Sequence, residues 1–219
     1  PAGGNIFIGA GDYLLSAATN PAANITLDAD QWETPPAAVN LVGMGSSSRG
    51  AAMTRLHTNI TIDGMRSLKM QDFVADQAAS NQIIVAGCTG SVVIERVQVW
   101  GGKTLRIENH MGPVTFNEVS VKNGSMGGAV IDTDGKVVVS QSSFYETAGN
   151  GLTVEAGDSV LLNGVFASGN ASLGTEVHMN NPAGSFNAVS SVFNRNELGG
   201  LIVTSEGSAF LDRVSVSLN

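Results

Sequence analysis

Ser91-Val-Val-Ile-Glu-Arg-Val-Gln-Val99 and Pro113-Val-Thr-Phe-Asn-Glu-Val-Ser-Val121 can be laid one under the other with their apolar residues in the same columns, and the reading of these stretches decides the fold. In each, alternate residues are apolar on both sides of a polar pair, Glu95-Arg96 in the first and Asn117-Glu118 in the second. Period-two alternation is the pattern of a strand with one buried face, so each stretch reads as two short strands meeting at a polar corner.

Working outward, the same pattern starts at Ser67, Ser91, Pro113, Lys136, Ser159, Ser185 and Ser208, at spacings of 24, 22, 23, 23, 26 and 23 residues. A sustained period in the twenties is the mark of a solenoid whose coils stack. One inward column holds Leu68, Val92, Val114, Val137, Val160, Phe186 and Ala209; a second holds Met70, Ile94, Phe116, Val139, Leu162, Ala188 and Leu211. A third strand follows a Gly/Asn-rich turn, as in Ile83-Ile-Val85, Leu105-Arg-Ile107, Ala129-Val-Ile131, Leu152-Thr-Val154, Val177-His-Met179 and Leu201-Ile-Val203. The expected fold is an all-β, single-stranded parallel β-helix with three strands per coil of about 23 residues. A leucine-rich repeat would need a Leu-x-x-Leu-x-Leu and Asn pattern with a helical half, and no segment has the three-and-four apolar spacing of a helix.

Residues 1–66 read as an N-terminal capping segment with irregular first coils, and residues 67–219 as regular coils of one continuous domain, expected to be part of a longer chain. Asn5-Ile-Phe-Ile-Gly-Ala-Gly-Asp-Tyr-Leu-Leu-Ser16, Val39-Asn-Leu-Val-Gly-Met-Gly-Ser46 and Asn59-Ile-Thr-Ile-Asp-Gly64 resemble the opening coils of the pectate-lyase-like right-handed parallel β-helix superfamily. The resemblance spans nearly the whole chain and implies a right-handed coil. It is a likeness of scaffold, and function does not travel with it. The Asn-Thr-Asp, Asp-Asp, Gly-His-Gly and Arg-Ile-Lys stretches of polygalacturonase-like members are absent, as is the Arg-x-Pro-x-x-Arg pattern of pectate lyases, so no catalytic residue carries over. β-Helices of the phage-tailspike and adhesin type remain compatible, because tailspike catalytic carboxylates vary in position.

With 27 glycines, 14% charged residues and only 11 Lys and Arg, the composition suits short strands and tight turns in an extracellular, secreted or virion-surface protein. The net charge of -8 argues against nucleic-acid or anionic-membrane partners, which require a basic patch. No apolar run approaches the roughly 20 residues of a membrane helix. Cys88 is the sole cysteine and is expected to be a buried structural thiol; no zinc-ligand spacing is present. Asn24, Asn59, Asn123 and Asn170 open Asn-x-Ser/Thr sequons, which a chain this rich in Asn and Ser produces by chance.

Chemistry in a solenoid comes from columns, because residues one coil apart become neighbours at roughly 4.8 Å. Outward beside the third-strand core lie Ala86, Glu108, Asp132, Glu155, Asn180 and Thr204; two positions earlier on that face lie Ile84, Arg106, Val130, Thr153, His178 and Ile202. Glu108, Asp132 and Glu155 would stack as a carboxylate ladder flanked by Arg106 and His178. Like charges about 5 Å apart disfavour joint ionisation, so one member could hold a proton. Two carboxyls about 5–5.5 Å apart suit retaining glycoside hydrolysis, and about 6.5–9.5 Å suits inversion. Asp132 with Glu108 or Glu155 is the expected catalytic pair, and Arg106, His178, Trp100 and Tyr145 are the expected substrate contacts. Three other readings stay open: a ladder with Asp134 that binds calcium, no cofactor at all, or charges that only keep the rod soluble. His110, in a turn, is a weaker candidate.

Trp100 and Tyr145 share an outward column, with Phe166 nearby, and would offer a platform for sugar rings or pack against another subunit. The outward column Val93, Thr115, Val138, Leu161, Asn187 and Phe210 is too apolar for a face left in water. Either the segment from Asn24 to Ala38, with Trp32 and Pro35-Pro36, covers it, or copies pack there as a homotrimer or larger assembly. The functional expectation is contact with a cell-surface or extracellular polysaccharide, with cleavage of glycosidic bonds in the enzyme version. The alternative is a structural β-helix that serves as a spacer or assembly module.

Overall fold

The computed structural model describes residues 4–7, 11–13, 25–29, 38–43, 54–77 and 81–219. They form an all-β parallel solenoid of about seven turns without an α-helix. The strands Val114–Asn117, Ser120–Lys122 and Ala129–Thr133 pair in parallel with Val137–Ser140, Ser143–Tyr145 and Leu152–Ala156 of the next turn, and the pattern continues along the rod. The third-strand stack is a separate eight-stranded sheet running from Ile25–Asp28 to Gly199–Ser205. The first and second stacks merge at Leu68–Gln77 and Val92–Gly101, which pass through the corner without a break.

The two inward columns emerge in the expected register. Val92, Val114, Val137, Val160 and Phe186 are direct partners, as are Ile94, Phe116, Val139, Leu162 and Ala188, and all ten are fully buried. Phe144, Phe193 and Ala167 bring a third inward column from the second strand. At the last turn the interior is open: Leu211, in the second column, is 55% exposed.

The polar pair between the first and second strands has a physical purpose. Its second member, at Asp72, Arg96, Glu118, Gln141, Ser190 and Arg213, has a positive φ of 48–63°, a left-handed residue that turns the chain by one step. Arg96 also ties two turns together, its Nε and Nη2 donating to Asp72 at 2.6 and 3.0 Å. After the third strand the coils approach so closely that only glycine fits. A Cβ on Gly112 would lie 1.8 Å from the Gly90 carbonyl oxygen.

A polar spine runs beside the apolar core. Thr147, Asn170, Asn196 and Asn219 occupy equivalent places in four successive turns. The Asn170 Nδ2 donates to Asn196 Oδ1 at 2.8 Å, and Asn196 Nδ2 to Asn219 Oδ1 at 3.1 Å. Each side-chain oxygen also accepts the backbone N–H of the preceding turn, from Thr147, Asn170 and Asn196 in order. Asn170 is 0% exposed, so its sequon is sealed inside the folded chain, whereas Asn123 stands exposed at a turn.

Candidate functional site

The third-strand face presents the expected carboxylates, with two changes in register. Asp132 and Glu155 are direct partners on neighbouring strands, as the column reading requires. Glu108 is not squarely opposite Asp132: pairing slips between Ile107 and His110, and Asn109 enters a left-handed conformation with φ 48°. This β-bulge sets both Glu108 and Asn109 against Asp132 and re-aims the face locally.

The second change is larger. The expected column placed Asn180 after Glu155 and put His178 beside Thr153. In the structure Thr153 pairs with Glu176, and Glu155 pairs with His178, a shift of two residues. The cause is Thr175, which fills the inward place of Leu152 and is fully buried. A polar residue there erases the apolar mark of the strand start and makes Val177-His-Met179 look like the aligned strand. Asn180 falls outside the strand, and Glu176 joins the face unforeseen.

Arg106, Glu108, Asn109, Val130, Asp132 and Glu155 line an open depression of about 330 Å³. Arg106 Nε forms an ion pair with Glu108 Oε1, so this cation and this anion neutralise one another. The carboxylates of Asp132 and Glu155 make no hydrogen bond or ion pair with any described residue and face the depression unencumbered. One turn on, His178 Nε2 lies 3.1 Å from Glu176 Oε1, and Asn150 Nδ2 donates to Glu176 Oε2 at 2.7 Å. Among the described residues no group of three or more His, Cys, Asp or Glu is placed to hold a metal ion; Asp134 stands exposed at a turn.

Trp100 and Tyr145 flank Lys122 in one column of the second-strand stack, away from the acidic depression. Lys122 Nζ lies 4.6 Å from the Trp100 ring centroid and the Arg55 guanidinium 5.3 Å from it. Cation–π attraction thus already engages the indole, and a sugar stacking there would compete with a side chain. Phe166 stands one turn beyond Ser143, 41% exposed. The apolar outward column from Val93 to Asn187 forms in register and is half-buried, with Phe210 57% exposed at its end. Trp32 and Pro35-Pro36, proposed as its cover, lie outside the described residues.

Cys88 and His110 occupy neighbouring turns inside the corner that follows the third strand, 0% and 2% exposed. Burial pushes the Cys88 thiol up, in keeping with a structural role. His110 lies inside the core rather than at an accessible turn. Both its ring nitrogens lack a well-formed hydrogen bond, although the backbone of Cys88, Gly90 and Pro113 is close, and burial lowers its pKa from the ordinary 6.5. The unfolded imidazole therefore takes up a proton first as pH falls. The proton-linked penalty of His110 is absent above pH 6.5 and grows progressively below it, towards its depressed folded value. Thermal melts of wild type and His110→Leu should diverge between pH 7 and about 5, before most carboxylates titrate. A constant difference between the two proteins over that window would show that His110 is not buried in its neutral form.

Among known proteins, no family model matches the chain, and no curated protein matches it in sequence. Among solved structures, the mannuronan C-5 epimerase AlgE4 A-module of Azotobacter vinelandii is similar with a TM-score of 0.55 at 18% identity, covering 96% of this chain and 70% of that one. The AlgE6 A-module of the same organism gives a TM-score of 0.37 at 12% identity, covering 99% and 87%. The first likeness shows the parallel β-helix fold that the opening motifs implied.

Proposed function

We propose that this β-helix contacts a polysaccharide along its third-strand face, with Asp132 and Glu155 at the centre of the site and Arg106 and Glu108 at one end. The observation that carries this reading is the pair of adjacent, unencumbered carboxylates in an open depression, on a stack of parallel strands along which a linear polymer can lie. Support comes from the fold, which also serves an enzyme named for its action on mannuronan. The acidic lining favours neutral chains, or chains accompanied by cations such as calcium, over bare polyanions. In the enzyme version, one carboxyl protonates the leaving glycosidic oxygen and the other balances the positive charge that develops on the sugar ring. We place the protein outside the cell, secreted or on a virion surface in the tailspike or adhesin manner, with the apolar outward column as the seam of a homotrimer. No helix among the described residues is long and apolar enough to cross a membrane.

The test is a panel of bacterial and plant polysaccharides incubated with wild type and Asp132→Asn, following reducing ends and unsaturated products. Cleavage by the wild type that falls by about 10²–10⁴-fold in the variant is the expected result. A folded wild type that neither binds nor cleaves any polymer would favour the second reading, a structural spacer. The openness of the depression speaks for that reading, since a shallow site excludes little water.

A further inference from the structure

The turn beyond Glu155 holds a feature that the carboxylate ladder does not explain. Asn150 bridges turns, its Oδ1 accepting the Leu173 N–H at 3.1 Å while its Nδ2 donates to Glu176 Oε2 at 2.7 Å. The other oxygen of Glu176 faces His178 Nε2 at 3.1 Å. An ionised carboxylate only accepts hydrogen bonds, so Nε2 must carry the proton, and the neutral ring then keeps a free lone pair on Nδ1. An anchored amide, a carboxylate and an imidazole in series form the arrangement that fixes a histidine's tautomer and orientation for proton transfer. His178 is partly open to solvent, its side chain 39% exposed, and is the direct strand partner of Glu155.

The geometry points to His178 as the proton acceptor of this face, with Glu176 and Asn150 as positioning residues; the assignment rests on the polysaccharide reading above and deepens it. Asp132 and His178 stand two turns apart with Glu155 between them. Two strand spacings, roughly 9.5 Å, leave room for a water beside the sugar ring, as inverting hydrolysis requires. His178 Nδ1 takes a proton from that water as its oxygen bonds to the anomeric carbon. The glycosidic bond breaks, its electron pair leaves with the departing oxygen, and Asp132 protonates that oxygen. Glu155 faces the developing positive charge. One water is consumed, and the imidazolium returns its proton to Asp132 through solvent.

Two measurements test this. Ring-nitrogen NMR of the whole chain should show His178 held as the Nε2–H tautomer and released to a mixture in Glu176→Ala. The same tautomer distribution in both proteins would overturn the dyad. On a polysaccharide that the wild type cleaves, the product anomer should be inverted. His178→Gln should lower kcat by about 10²–10⁴-fold with KM little changed, and Glu176→Gln, which retains a hydrogen-bond acceptor, should lose less than Glu176→Ala. Retention of configuration, or unchanged kcat in His178→Gln, would overturn the assignment. A wild type that binds a polymer but cleaves none defeats the catalytic assignment and leaves the contact reading standing, one that neither binds nor cleaves defeats both, and in either case the NMR result still decides whether the dyad exists.

Discussion

Val139→Asp is expected to unfold the central turns of the rod. Val139 is fully buried, with Phe116 on one side and Leu162 on the other, both fully buried as well. A carboxylate there has no cation or donor within its column, and a buried charge without a partner costs several kcal/mol even after relaxation, against a total stability of about 5–15 kcal/mol. Coils in a solenoid support one another only through their neighbours, so damage at a central turn separates the two ends. A control makes the result specific. Glu155→Gln, on the exposed face of the third strand, should change stability by about 0.5 kcal/mol or less. Denaturant unfolding of both variants measures this. Equal tolerance of Val139→Asp and Glu155→Gln would overturn the inward and outward assignment.

Asn170→Asp should be nearly as damaging although it changes the side chain by a single atom. Asn170 Nδ2 donates to Phe144 O at 3.2 Å and to Asn196 Oδ1 at 2.8 Å, while its Oδ1 accepts from Thr147 N and Oγ1. Aspartate replaces the donor with an acceptor facing two acceptors, in a fully buried place. Asn170→Leu keeps much of the volume but strands the Thr147 N–H and takes a donor from both the Phe144 carbonyl and Asn196 Oδ1. At about 1–3 kcal/mol for each buried group left unsatisfied, either variant should lose about 3–5 kcal/mol, read as a shift of the unfolding midpoint. Asn123→Asp, at an exposed turn, should be close to neutral. Near-neutral behaviour of Asn170→Leu would mean that the asparagine spine is filler rather than support.

The asparagine spine was within reach of the sequence. Thr147, Asn170, Asn196 and Asn219 fall at the same offset from the starts of their coils, but a polar residue at a turn looks like surface until its bonding partners are known. The same blindness moved the third-strand register. Thr175 is buried, yet as a threonine it carries no apolar signal, so the two-residue slip that brings His178 beside Glu155 and Glu176 beside Thr153 could not be seen. The candidate site was legible where the column logic held, at Asp132 and Glu155, and illegible where a bulge or a shift intervened, at Glu108 and His178.

By itself the sequence determined the parallel β-helix, its period, its corners and the residues of its two main core columns. Alternation and repeat length are properties of the chain alone, and an apolar residue every second position has to turn inward. Tertiary structure decided which side chains meet across turns: Lys122 and Arg55 over Trp100, and Asn150 with Glu176. Those contacts join residues a coil or more apart. They depend on a lateral register that one bulge or one buried threonine shifts by a residue or two, so only the folded stack fixes them.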